Sequence, residues 1–226
     1  MDYTMKVIAR IHSDFPEKFG IPRQSGLVPA LRAKIVFEPE YRNPDALRGI
    51  EGFSHLWLIW QFSAAVRDTW SPTVRPPRLG GNERVGVFAT RSPFRPNAIG
   101  LSCVKLEGVR HEDGLGDVLI VAGADLMDGT PIYDIKPYLP YADAHPEALG
   151  GFAPSPKETI EVKSPPALLQ KLPEGQREAL LRVLAQDTRP PYKHDPASVY
   201  GMSLGCWGVK IRVKNSLLNV LYLADT

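Results

Sequence analysis

The chain has 226 residues, with 27 Lys+Arg against 25 Asp+Glu for a net charge of +2, and 43% of its residues are hydrophobic. A charged fraction of 23% beside this apolar content suffices for a packed core, which excludes an intrinsically disordered chain, and the near balance of charge excludes a histone-like polycation. The 22 prolines, about twice the average usage of roughly 5%, exclude long uninterrupted helices, because an internal proline removes a backbone donor and clashes with the preceding turn.

Residues 1–10 alternate apolar and polar types and lack the basic start, apolar run and cleavage site of a secretory signal, so a cytoplasmic protein is expected. Short apolar runs of strand length follow at 5–11, 34–37, 56–62, 84–89, 101–106, 118–122 and 132–135, each bounded by turn residues and rich in β-branched or aromatic types. The longest apolar stretch, 53–66, is too short for a membrane span of about 20 residues and carries His55, Gln61 and Ser63. No strand is followed by a Gly-x-Gly-x-x-Gly turn and amphipathic helix, which disfavours a Rossmann-type nucleotide domain. Closing such strands into one single-sheet β-barrel would remove their unpaired edges.

Residues 149–156 read LGGFAPSP, a linker by composition. Beyond it a short helix is expected from Pro165–Pro166 to Lys171. A second, at 174–186, places Ala179, Leu180, Val183 and Leu184 on one face. Strands at 208–214 and 217–223 close the chain. The expected fold class is therefore mainly β: a barrel domain at 1–148 and a small α+β domain at 157–226. Cys103 and Cys206 lie far apart with no Cys-x-x-Cys and are expected as reduced thiols; the five histidines show no metal-ligand spacing, so no metal is expected.

Two stretches carry chemistry. Residues 71–102 hold Arg75, Arg78, Arg84, Arg91 and Arg95 against the single acid Glu83, a local charge of +4. Guanidinium groups bind phosphate and carboxylate in pairs and stack on bases, so an arginine-only band suits RNA or nucleotide contact; a solvated charged loop is the alternative. Residues 124–143 (ADLMDGTPIYDIKPYLPYAD) gather Asp125, Asp128, Asp134 and Lys136 beside Tyr133, Tyr138 and Tyr141. Such a set can bind a ligand or supply a base, yet Asp128-Gly129 reads equally as a turn and Asp134 with Lys136 as a same-face strand pair. His55 in its apolar run reads as a core histidine, and Trp57, Trp60 and Phe62 read as core. The arginine, lysine and tyrosine of 187–194 suit an RNA contact.

The motifs PRQSGLV (22–28), RGIEGFSHLWLIWQF (48–62), PTVRPPRLGGNERVGVFATRSPFRPNAIGLS (72–102) and DGTPIYDIKPYLPYAD (128–143) resemble the TrmO family of tRNA methyltransferases. The resemblance covers most of 1–143 and continues more weakly in AQDTRPPY (185–192), where Thr188 stands in place of the family's usual proline. It implies an S-adenosylmethionine-dependent enzyme, typically a homodimer, that methylates N6 of threonylcarbamoyladenosine at position 37 in a tRNA anticodon loop. The implied cofactor residues are Gln24, Ser25, Gly26, Phe62, Ser63, Arg91, Leu101, Asp125, Leu126, Met127 and Asp128; a histidine is common in the family where Ser63 stands. The acceptor nitrogen belongs to a urea-like system and is a weak nucleophile, so a base is expected, Asp134 first and Asp128 second. Arg91 or Lys136 would pair with the threonyl carboxylate and Asn97 would orient the base moiety. RNA contacts are expected from Arg75, Arg78, Arg95, Arg189 and Tyr192. A related barrel methyltransferase with another acceptor, and a non-catalytic nucleotide- or RNA-binding module, are the competing readings.

Overall fold

The computed structural model describes residues 4–189, 195 and 197–225. Its strands are β1 (Ala9–His12), β2 (Arg32–Phe37), β3 (His55–Gln61), β4 (Thr73–Val74), β5 (Val85–Gly86), β6 (Ile99–Glu112), β7 (Gly116–Ala122), β8 (Pro131–Pro137), β9 (Glu161–Lys163), β10 (Val199–Leu204), β11 (Trp207–Lys214) and β12 (Leu217–Asp225). The α-helices are α1 (Pro140–Asp143), α2 (Pro166–Leu169) and α3 (Glu174–Ala185). The protein is mainly β, as its composition requires.

Six strands pair in the order β1-β2-β7-β6-β3-β8, and β8 returns to β1 through the Ala9–Ile132 pair, so the sheet closes on itself as a barrel. Period-two alternation determines which side chains fill it. In β3, Leu56, Leu58 and Trp60 are buried while Trp57, Ile59 and Gln61 face outward; β6 contributes Val104 and Leu106, and β1, β2 and β7 contribute Ile11, Ile35, Leu119 and Val121. Each fully buried side chain of this kind contributes roughly 1.5–3 kcal/mol.

A second sheet, β10-β11-β12-β9, is antiparallel except where β9 lies parallel to β12. Its core takes Ala179, Leu180, Val183 and Leu184 from α3, the face that helical spacing identifies. The same core also buries Phe15, Val28 and Leu31, which belong to the long connection between β1 and β2. Backbone joins reinforce this: Gly205 N–H donates to the Asp14 carbonyl at 2.6 Å, and Ser203 N–H to the Glu17 carboxylate at 3.0 Å.

Several expected elements differ. Within 84–89 only Val85 and Gly86 pair as a strand, against Thr73 and Val74, and Val87–Ala89 turns into a 3-10 helix with Val87 buried as its anchor. β6 is longer than the expected 101–106 and bends at an irregularity between Leu106 and Gly108. β9 and β10 carried no clear strand signal: the first is three residues long and the second is interrupted by Gly201.

Candidate active site

The cleft forms where the barrel sheet is incomplete. β6 pairs with β7 only from Lys105 onward, so its first half lacks a partner on that side. The 22–26 loop fills the gap. Ser25 Oγ accepts the Cys103 N–H at 3.1 Å, and Gly26 N–H donates to the Gly123 carbonyl at 2.8 Å. Gly26 and Gly123 both have positive φ, +79° and +74°, and a Cβ on Gly123 would lie 3.3 Å from Gly26 backbone atoms. Only glycine combines this backbone conformation with this approach.

Around the loop opens a cleft of about 660 Å³, within the range of small-molecule sites. Its walls include Ile21 and Gln24, Trp60 to Ala65 at the end of β3, Arg91, Gly100 and Leu101 of β6, and Asp125 and Met127. Asp125 is its one carboxylate. Its Oδ1 accepts a hydrogen bond from Ser102 Oγ at 2.6 Å, and Ser102 Oγ accepts the Trp60 indole N–H at 3.0 Å. This chain is possible because residue 100 is glycine: a Cβ there would lie 2.3 Å from the Trp60 ring. Burial pushes the Asp125 carboxyl above the ordinary carboxylate range; the Ser102 hydrogen bond and the charge of Arg91 oppose that shift in part. Arg91 also donates to the Gln24 side chain.

The fold thus brings Gln24, Phe62, Ser63, Arg91, Leu101, Asp125 and Met127 to one cleft, with Ser25 and Gly26 supporting it from behind. Leu126 is fully buried in the barrel core, so its side chain packs rather than lining the cleft. Asp128 lies outside it too, because its Oδ1 accepts the Ser13 N–H at 3.1 Å and sits 3.4 Å from His12, which makes it the turn acid of its two readings. Asp134 and Lys136 pair with each other at 2.8 Å, 43% and 62% exposed. They are on the outer barrel face, Asp134 opposite Ile59, which is opposite Leu101. Asp134 stands one strand, roughly 5 Å, from β3, whose end walls the cleft, but is not among the residues that line it, and the order of preference for a base, Asp134 then Asp128, lacks support from this arrangement. Trp60 is core as its sequence suggests, whereas Ser102 and Lys18, which also lines the cleft, carry no motif of their own; period-two alternation in IGLS, which turns Ser102 inward, is the available signal for the first.

A smaller cleft of about 300 Å³ adjoins the first and shares Gln61, Ala65, Pro93, Phe94, Arg95 and Ile99 with it. Asn97 lines this one. Among the arginines expected to meet RNA, Arg75 and Arg78 are exposed, whereas Arg95 is half-buried and donates to the Thr90 and Ser92 carbonyls at 2.8 and 3.3 Å. Arg189 is 10% exposed and holds Asp187 through Nε at 2.6 Å and Nη2 at 3.0 Å, so its charge is neutralised within the protein. Tyr192 lies outside the described residues.

A cofactor-sized cleft at the open side of a small barrel, with one buried acid, several cations (Lys18, Arg23, Arg91 and Arg95) and apolar walls, has the make-up of a nucleotide-cofactor type of site. The model of the tRNA-methyltransferase O N-terminal domain matches residues 10–144. The tRNA (adenine(37)-N6)-methyltransferase of Escherichia coli strain K12 is 42% identical over 98% of this chain and 97% of its own length. A putative S-adenosylmethionine-dependent methyltransferase, RcsF, of Pseudomonas aeruginosa is 46% identical over 90% of each chain. Among solved structures, TrmO from Pseudomonas aeruginosa superposes with a TM-score of 0.81 at 37% identity, covering 100% of this chain and 98% of the other. The chain belongs to the tRNA-methyltransferase O family.

Proposed function

We propose that the protein is an S-adenosylmethionine-dependent methyltransferase acting on N6 of adenosine 37 in tRNA, with N6-threonylcarbamoyladenosine as acceptor. The observation that carries this reading is the joining of Asp125, Arg91 and apolar walls in one cleft by motifs shared with the family. The residues fit the cofactor: Asp125 offers an acceptor for amino or ribose groups, Arg91 a cation for a carboxylate, and Phe62, Leu101 and Met127 an apolar bed. When bound, the cofactor supplies a methyl carbon on a cationic sulfur. The protein's part is to hold the acceptor nitrogen in line with it, since orientation supplies much of the rate. Asp134 keeps its proposed role as base only for an acceptor reaching over the Leu101 edge.

The reading extends to the rest of the molecule. The barrel unit, 1–148, carries the cofactor and the 157–226 unit contacts the anticodon loop, aided by Arg75 and Arg78. The protein works as a cytoplasmic homodimer; Ile99 and Leu101, 36% and 53% exposed on the outer barrel face, are the apolar strip suited to burial between subunits. The test is mass spectrometry of tRNA nucleosides after incubation with labelled cofactor, using tRNA with and without the threonylcarbamoyl group. Label should appear on the modified adenosine alone, and absence of transfer from either tRNA overturns the reading. Single-turnover methylation by Asp134→Asn, with cofactor affinity checked separately, decides its role: an unchanged rate removes it as the base.

A further inference from the structure

We propose that the smaller cleft is the subsite for the acceptor's threonylcarbamoyl arm and that Arg67 binds the carboxylate of that arm. The inference rests on the methyltransferase reading above and moves the threonyl carboxylate, expected from the sequence at Arg91 or Lys136, to a different cation. The cleft's volume of about 300 Å³ suits a side group rather than a second nucleotide cofactor, and its shared wall with the larger cleft puts any occupant next to the cofactor. No Asp or Glu lines it. What does line it is two cations, Arg67 and Arg95, together with the amide groups of Gln61 and Asn97 and the hydroxyls of Thr69 and Tyr133. A urea joined to a hydroxy amino acid offers the matching partners: two N–H groups, carbonyl and hydroxyl oxygens, and one carboxylate.

The choice of Arg67 follows from what the other cations are doing. Lys136 is paired with Asp134, Arg91 serves Gln24 and Asp125 in the larger cleft, and Arg95 Nη1 donates to two carbonyls of its own loop. The Arg67 guanidinium has no ion pair among the described residues and sits over the face of Phe94, its central carbon 3.7 Å from the ring centroid. Stacking on an aromatic face fixes the guanidinium plane and leaves its edge N–H groups free for a two-pronged carboxylate contact. Phe94 belongs to the wall shared by the two clefts, so the same ring that holds Arg67 also borders the larger cleft.

The experiment uses the full chain and two anticodon stem-loop RNAs, one carrying N6-threonylcarbamoyladenosine and one carrying its methyl ester, which keeps the shape and removes the charge. For the wild type, KM for the acid should lie about 10- to 100-fold below KM for the ester, the range of a charge-assisted hydrogen-bonded contact. Arg67→Gln, which retains the stem over Phe94, should bring the two KM values together, with kcat on the ester and cofactor affinity unchanged, and Arg67→Lys should restore part of the preference. The subsite is overturned if Arg67→Gln keeps the wild-type preference, if it weakens acid, ester and cofactor alike, or if the wild type itself does not distinguish acid from ester. A wild type that methylates neither RNA overturns the methyltransferase reading, and the subsite with it.

Discussion

Asp125 is held by a buried chain that begins at an indole and ends at a carboxylate in a cleft. A cofactor amino or ribose group needs the ionised form as acceptor, so Asp125→Asn should raise the dissociation constant for S-adenosylmethionine about 10- to 100-fold by calorimetry. The pH dependence has a definite sign. Burial raises the Asp125 pKa, so affinity should fall on acidification, starting above the ordinary carboxylate range. For stability the sign reverses, since a raised carboxyl favours the fold while protonated and that contribution is lost as pH rises through its folded value. Ser102→Ala removes a hydrogen bond to the charged form, so the acid limb of cofactor binding should move to higher pH; a limb that stays put would detach Ser102 from Asp125. That acids gather in 124–143 is legible in the sequence, but spacing alone does not tell which of them lines the cleft. Asp125, Asp128 and Asp134 share a short stretch, and only the path of the chain sends one into a cleft, one to a turn and one to the outer face.

The elements that carry the site are a loop and an interrupted strand, and their glycines are the sensitive points. Gly100→Ala would drive a methyl group into the Trp60 ring, and the resulting rearrangement should cost about 1–3 kcal/mol in urea unfolding, with a change in Trp fluorescence. Leu180→Ala in α3 should cost about 2–5 kcal/mol, since Leu180 is fully buried in the second core. The turn after α3 is pH-sensitive. Burial disfavours the Asp187 carboxylate, but the hydrogen bonds and charge of Arg189, with Lys157, outweigh it and hold its pKa below the usual carboxylate range. The ion pair therefore stabilises the fold fully above the unfolded Asp value of about 3.9, and this is lost as pH falls through the lower folded value. Wild-type stability should drop more steeply than that of Asp187→Asn as pH falls below about 4, and parallel curves would remove the ion pair from the account. Barrel strands and α3 were legible because a sheet open on one side and an amphipathic helix print periods of 2 and 3.6 in the residues. The arm from 66 to 96 prints no period: it is held by Val87 and by side-chain bonds such as Arg84 to Thr73, which no local pattern announces.

For the whole molecule, the composition break at 149–156 reads as a linker between two units, and one of the two cores draws on chain from both sides of it. Phe15, Val28 and Leu31 precede β2 in the chain yet are buried with α3 and the second sheet. A chain cut at residue 156 leaves these side chains uncovered, so it should be less stable than the full protein and bind S-adenosylmethionine more weakly; thermal unfolding and calorimetry check both. Equal stability and affinity would show that the first unit stands alone. Sequence reading missed this joint because its partners lie some 150 residues apart, beyond any periodicity.

The connection between β1 and β2 also sets an order of events during biosynthesis. It emerges among the first residues, but the apolar surface that anchors it is made from Leu172 onward. Until that later segment has left the ribosome, Phe15, Val28 and Leu31, which flank the 22–26 loop in the chain, lack the apolar partners that cover them in the finished protein.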